Sequence, residues 1–297
     1  MNKELVIKML KKRILICGAS GQLGQALINI FSKNKAYDAY GLSRNGIGTK
    51  HLQCDISNFD KLEEAFRKIK PDVVINSAAY ANADLCEKNK GLAYKINYLG
   101  NKNVLELSKK YDSYFVFISS YYVFDGAKKF YSEDAEPTPI NYYGVTKTMS
   151  EIVTGTYRKS LIIRASKIFS LGYDDRNFIA RTYQSLANGQ KVLAVDDQYN
   201  NPIHADLLAK SIMELIDLER LGIYNIGGKD YVSNYGLAKS FARFFGLDHS
   251  LIKSIKTKES GQATQRPRHV YLKIDKLRLD GIGTHRLKYM FKLLNPN

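Results

Sequence analysis

The chain contains no tryptophan, three cysteines and five histidines in 297 residues. Cys17, Cys54 and Cys86 are odd in number and widely spaced, and Cys17 falls in an apolar run. Buried, reduced thiols are therefore expected rather than disulfides. No histidine pairs with a second ligand at zinc spacing, so no metal is expected. No apolar stretch approaches the ~20 residues of a membrane-spanning helix, and there is no low-complexity tract. Residues 1–12 are mixed and lysine-studded, without the apolar core and small-residue cleavage site of a secretory signal. They read as a short leading helix or, with Met9 as an alternative start, as an extension. A cytoplasmic protein with no membrane partner is expected.

Positive charge is abundant: 45 Lys and Arg against 29 Asp and Glu, a formal net charge of +16. Such an excess can signal nucleic acid. Here the lysines are dispersed without a basic block, so no nucleic-acid partner is expected, and the positive field suits small anions such as nucleotides. With 44% hydrophobic residues, the chain can bury one large core, or a larger and a smaller domain sharing a cleft.

Arg13-Ile14-Leu15-Ile16-Cys17 reads as a buried parallel strand. It runs into Gly18-Ala19-Ser20-Gly21-Gln22-Leu23-Gly24 and then into helical periodicity over residues 25–33. Strand, glycine loop and helix form the context of a dinucleotide site, where pyrophosphate approaches the free N–H groups of the helix start. The next strand, residues 37–42, ends at Ser43-Arg44. An acid near this point would bond a ribose 2′-hydroxyl, whereas an arginine accommodates a 2′-phosphate, which favours NADPH. Residues 51–56 read as a strand followed by a polar turn, with Asp55 and Ile56 as cofactor contacts; Asp55 either faces the adenine or caps the helix beginning near Phe59. Val73-Val74-Ile75-Asn76 is a further buried strand, and the small residues of Ser77-Ala78-Ala79-Tyr80 would let a flat ligand lie against backbone. A helix over residues 91–111 carries Asn97, and a strand over residues 114–118 ends at Ser119-Ser120.

The alternation of short β-branched strands with helices predicts an α/β, Rossmann-type doubly wound parallel sheet with a smaller C-terminal substrate-binding lobe. Residues 1–170 are assigned to the nucleotide domain, with a segment near 203–228 returning to it, and residues 171–297 mainly to the lobe. In the lobe, Asn177-Phe178 starts a helix, residues 191–195 look strand-like, residues 197–202 read as a turn, and the last fifty residues read as irregular.

Tyr143 and Lys147 lie four residues apart on a helix following Pro137 and Pro139. That spacing places phenol and ammonium on one face, where a fixed cation would lower the phenol's pKa and ready it to pass a proton to a developing alkoxide. Tyr98 and Lys102 share the spacing, but no hydroxyl-ended strand leads to them.

These motifs together resemble the extended short-chain dehydrogenases/reductases, and within them the dTDP-4-dehydrorhamnose reductase-like (RmlD-like) branch. The resemblance rests on the glycine loop, on residues 71–80, on Ile118-Ser119-Ser120 with Tyr122-Val123-Phe124-Asp125-Gly126, on Asn141-Tyr142-Tyr143-Gly144-Val145-Thr146-Lys147, on Asp197-Gln198 with Asn201-Pro202, and on Arg266-Pro267. It implies Tyr143 as general acid, Lys147 as its partner and a nicotinamide-ribose ligand, Ser120 as the hydroxyl on the substrate carbonyl, and Asn97 as support for Lys147. It also implies a nucleotide-linked 4-keto-6-deoxysugar as substrate, contacted by Ser120, Tyr121, Val123, Phe124, Lys167, Asn177, Gln198 and Arg266, and a possible homodimer. The chain departs from the branch at Tyr121, where an acid is usual, at Lys167, where tryptophan is frequent, and at Ile203, where threonine is common. Arg164 and Lys167 could meet a phosphate or an altered sugar. Two alternatives stay open: an epimerase or dehydratase with tightly held NAD, and an NADP-binding regulatory subunit similar to that of methionine adenosyltransferase.

Overall fold

The computed structural model describes residues 11–46, 50–173 and 176–294; the expected leading helix lies outside them. Seven strands form one parallel sheet: β1 (Lys12–Cys17), β2 (Tyr37–Ser43), β3 (His51–Gln53), β4 (Val73–Asn76), β5 (Tyr114–Ser120), β6 (Ser160–Ala165) and β7 (Gly222–Ile226). Their order is β7-β6-β5-β4-β1-β2-β3. The chain reverses direction across the sheet between β1 and β4, which opens a crevice at their C-terminal ends.

Side chains alternate across each strand, so each face acquires its own core. Ile14, Ile16, Val73 and Ile75 meet helices α1 (Gln22–Lys33) and, from later in the chain, Ala205–Asp217. Leu15, Cys17, Val74, Phe115 and Phe117 meet α2 (Phe59–Ile69) and α3 (Gly100–Lys110). Both faces of the sheet are covered, as continuous apolar strands require. Helix α4 (Tyr142–Gly155) follows β5 and carries Tyr143 and Lys147; the Ala205–Asp217 helix becomes α5.

Most of the C-terminal third is stitched by very short elements. Phe130–Tyr131, His269–Leu272, Tyr199–Asn200 and Val232–Ser233 make a four-stranded sheet, and Ile252–Ile255 pairs with Val192–Val195. Residues 199–200, expected in a turn, are thus a strand. The final fifty residues, expected as irregular, hold two strands and the helices Asp275–Leu279 and Leu287–Phe291. Elements of two to five residues leave no readable period and form only because a partner is present. Buried Asn201 joins these parts, donating to Gly228 O at 3.1 Å and Leu272 O at 3.0 Å and accepting from Leu272 N at 3.1 Å.

The helix expected over residues 91–111 is not uniform. Lys90–Ala93 is α-helical, Tyr94–Leu99 is a π-helical stretch, and α3 completes it. Such widened turns recur where a helix must reposition a side chain, and here the side chain is Asn97.

Candidate active site

At the end of β1, Gly18 adopts φ +80°, and a Cβ there would sit 2.6 Å from Ala78 N. Only glycine lets the loop after β4 lie directly against the loop after β1. Gly21 then caps α1 without any side-chain hydrogen bond, and the first turn holds no acid. The helix start therefore presents its N–H groups to a groove of about 770 Å³. Gly18, Ser20, Gly21 and Gln22 form one wall, Ser43 and Arg44 the end beyond β2, and Asp55, Ile56, Ala78, Ala79 and Tyr80 the other side. Leu23 and Gly24 face inward from α1 and are buried, outside the groove lining.

Local bonds explain the shape of this wall. Gln22 Nε2 donates to Ser170 Oγ at 2.8 Å, and Gln25 Nε2 to Tyr173 O at 2.6 Å, so a segment beyond β6 folds over the glycine loop. Ser43 is buried, its hydroxyl shared between Asn45 O and His51 Nε2, each at 2.8 Å. Arg44 is exposed at the rim. Asp55 accepts from Ser57 N at 2.8 Å, whereas Asn58 caps α2; the capping alternative for Asp55 is thereby settled. Asn177, expected beside the sugar, lies in this groove and caps the Phe178–Ala187 helix. Arg176 and Arg181 join it. The sequence reading missed both arginines, although they flank the helix start it had recognised.

The second half of the site is the junction of β5 and α4. Tyr143 and Lys147 are 8% and 3% exposed and Ser120 is 9% exposed. Lys147 Nζ donates to Ile118 O at 2.6 Å and lies 4.5 Å from the Phe117 ring centroid. A hydrogen bond from Ser120 draws the Tyr143 phenol's pKa down, but burial outweighs it and pushes the phenol well above its ordinary range. Burial pulls Lys147 down to about 8, against the attraction of Glu151 and Cys86. The expected lowering of the phenol by Lys147 is thus not what the structure shows, because the ammonium is occupied by a carbonyl and dehydration dominates. The phenol remains protonated, which is the state a proton donor needs.

Three contacts set the height of α4. Asn141 caps it, accepting from Gly144 N at 2.9 Å while donating to Gln265 O at 3.0 Å. Glu87 accepts from Tyr142 N at 3.0 Å. A Cβ on Gly144 would lie 2.2 Å from Tyr122 O, so the helix rests directly on that carbonyl. Asn97 accepts from Tyr80 N at 2.7 Å and donates to Thr146 Oγ1 at 3.0 Å, tying the β4 exit loop to the residue before Lys147. Cys86, unassigned by the sequence reading, packs in a cluster with Tyr143, and its thiol donates to Tyr80 O. The rival pair differs: Tyr98 packs at a tilt against Tyr94 and Lys102 is exposed.

The residues expected around a sugar divide. Tyr121 and Tyr122 pack edge-on at 4.7 Å, and Tyr122 packs on Tyr143 at 5.5 Å. Arg266 pairs with Asp84 at 2.8 Å and lies 6.0 Å from the Tyr122 ring. Lys167 donates to Asn234 Oδ1 at 2.5 Å, and its ammonium is pulled down to about 8 by burial and by Arg181 and Arg266. Val123 and Phe124 are fully buried with Tyr131, Val270 and Leu272, so their side chains belong to a small core beside the four-stranded sheet. Gln198 is buried and donates to Thr257 Oγ1 and Gln262 Oε1. Arg164 is 2% exposed and paired with Glu151, which removes it as a phosphate contact.

A dinucleotide-type groove walled by Tyr80, which packs against the cluster holding Tyr143, on a 3-2-1-4-5-6-7 parallel sheet whose β5 ends at Ser120 is the architecture of the short-chain dehydrogenases/reductases. Comparison with known proteins narrows this. Residues 12–291 match the model described as RmlD substrate binding domain, and the chain belongs to that family. It is 30% identical over 262 residues, covering 88% of each chain, to the spore coat polysaccharide biosynthesis protein SpsK of Bacillus subtilis. It is 28% identical to methionine adenosyltransferase 2 subunit beta of Xenopus laevis, covering 92% of this chain and 83% of that one. Among solved structures, the dTDP-4-dehydrorhamnose reductase of Bacillus anthracis in complex with NADP superposes with a TM-score of 0.88 at 28% identity, covering 96% and 99% of the two chains.

Proposed function

We propose that the protein is an NADPH-dependent reductase of a nucleotide-linked 4-keto-6-deoxysugar. The observation that carries this reading is the packing of Tyr80, a wall of the dinucleotide-sized groove, against the cluster that holds Tyr143, on the helix whose Lys147 bonds the end of β5 beside Ser120. The groove suits NADPH on its own features: the uncapped α1 start for the pyrophosphate, the glycine cradle at Gly18, and Arg44, with no carboxylate at the end of β2, for a 2′-phosphate. We assign the cofactor to the body formed by residues up to 170 with 203–228, and the sugar chiefly to the residues beyond 171.

Bound NADPH would supply hydride to the keto carbon. The chain's own part is alignment and proton delivery. Tyr143, held protonated by burial, donates its phenolic proton to the carbonyl oxygen as that oxygen gains negative charge, and Ser120 donates a hydrogen bond to the same oxygen. The neighbouring Lys147 ammonium favours the phenolate that remains. Tyr122 walls the site against water, and Arg266 and Lys167 bring positive charge to an anionic substrate.

The test is NADPH consumption by purified protein with dTDP-, UDP-, GDP- and CDP-linked 4-keto-6-deoxyhexoses. One nucleotide should support turnover, and Tyr143→Phe should reduce it by at least about 100-fold. Inactivity with all four would overturn the reading. The likeness to methionine adenosyltransferase 2 subunit beta favours a second reading, an NADP-binding regulatory subunit. A synthetase recovered in stoichiometric complex from source cells, together with inactivity on all four sugars, would support it.

A further inference from the structure

Three consecutive residues at the end of β5 each engage one residue on a single stripe of α4. The Ile118 carbonyl accepts from Lys147, the Ser119 hydroxyl donates to Glu151 Oε1, and the Ser120 hydroxyl acts on the Tyr143 phenol, drawing its pKa down against burial. Glu151 is the most firmly anchored of the three helix residues. It also receives Arg164 Nη2 at 2.8 Å and Arg164 Nε at 3.1 Å. Arg164 stands opposite Ser119 in the β5–β6 register. Its remaining donors reach Glu133 O at 3.0 Å and Ala135 O at 3.2 Å, and its guanidinium lies 5.1 Å from the Phe124 ring. One ion pair thus joins β5, β6, α4 and the loop that precedes α4.

Such a pair is a poor source of stability, because dehydrating two charges cancels most of their attraction and apolar side chains can fill the same space. Its location points to another role. Glu151 lies one helical turn beyond Lys147, whose hydrogen-bond acceptor is a neutral carbonyl and whose other neighbour is an aromatic ring. The titratable groups facing Lys147 are Glu151 and Tyr143 on its own helix and Cys86 on the Ala83–Lys88 helix. Tyr143 and Cys86 are both held protonated by burial, and Glu151, ion-paired with Arg164 at 2.8 Å, is the acidic group among them.

We propose that Glu151, held by Arg164 and Ser119, is a positioning residue that keeps Lys147 charged and level with Tyr143, and that Arg164 tempers its field. The activity readout rests on the reductase reading above; the charge state of Lys147 does not.

The test follows Lys147 by NMR of 13Cε-labelled lysine, assigned with Lys147→Arg, alongside pH profiles of NADPH consumption. Wild type should titrate near the value of about 8 that burial imposes. Glu151→Gln should move the titration down by about half a pH unit or more, since it removes the attracting charge and leaves Arg164 uncompensated. Arg164→Met should move it up by a similar amount, and the double variant should fall between the two. The basic limb of kcat/KM should follow the same order, so that at pH 8 Glu151→Gln loses about fourfold relative to its own acidic plateau, against about twofold for wild type. A purely structural pair would lower the melting temperature in both single variants without moving the titration in opposite directions, and that result overturns the proposal. Should Glu151→Gln fail to fold, the difference between Arg164→Met and the double variant carries the same comparison. If no sugar is turned over, the order of NMR titrations still decides the role of Glu151, while the reductase reading falls separately.

Discussion

Arg44 stands at the groove end where a side chain can meet a 2′-phosphate. The groove end at β2 is formed by Ser43, whose hydroxyl is occupied by His51 and Asn45, and by Arg44, which remains exposed. No carboxylate stands there to receive a pair of ribose hydroxyls. Hydrogen bonds to charged groups contribute roughly 1.5–3 kcal/mol. Arg44→Ala should therefore weaken NADPH binding by about tenfold or more while changing NADH binding by less than about twofold. Fluorescence titration of both nucleotides checks this, and equal losses for the two would remove Arg44 from 2′-phosphate recognition. Val123 and Phe124 teach the converse at the same scale. Their motif suggested a sugar contact, yet the branched side chain of Val123 and the ring of Phe124 are spent on a small apolar core with Tyr131, Val270 and Leu272.

Among the elements, α4 is positioned by contacts at its first turn. Its start rests on the Tyr122 carbonyl through Gly144 and is tied to residue 265 through Asn141. Gly144→Ala forces the first turn, and Tyr143 with it, away from β5. Overpacking of this kind costs roughly 1–3 kcal/mol, occasionally more. Denaturant unfolding should show that loss, with turnover falling further than stability alone accounts for. Gly155→Ala, at the other end of the same helix with nothing within 4 Å of the added carbon, should leave both nearly unchanged. Equal behaviour of the two variants would mean that the contact at Tyr122 does not set the helix. The π-helical stretch Tyr94–Leu99 acts at the same scale, turning Asn97 inward to bond Tyr80 and Thr146 at once.

For the molecule as a whole, net charge and groove agree. A chain of formal charge +16 lines the groove beside its glycine loop with Arg44, Arg176 and Arg181, which favours a ligand carrying several phosphates. A ligand that binds only the folded state raises its stability in proportion to the logarithm of its concentration, by about 2.7 kcal/mol at a hundred times Kd. NADPH should raise the unfolding midpoint accordingly, less so at high salt, and NADH should do so less at equal concentration. Absence of stabilisation by either nucleotide would show that the groove is not a dinucleotide site.

The sequence by itself determined the parallel sheet, the glycine turn and the Tyr143–Lys147 face. Each is written in local terms: β-branched strands bounded by loops, glycines at a strand end, and a spacing of four on one helix. It also marked Ser120 and most of the groove, because those residues sit at or near strand ends where the topology itself gathers ligands, whereas Asn97, inside a helix, was marked only through the family resemblance. Only the tertiary structure decided what depends on partners distant in sequence. It brought Arg176 and Arg181 to the groove, turned Arg164 from a candidate phosphate contact into the buried partner of Glu151, and made strands from residues 199–200 and 269–272. It also reversed the expected shift of the Tyr143 phenol, because the pKa of a buried group follows from dehydration by everything packed around it, and no spacing along one helix encodes that.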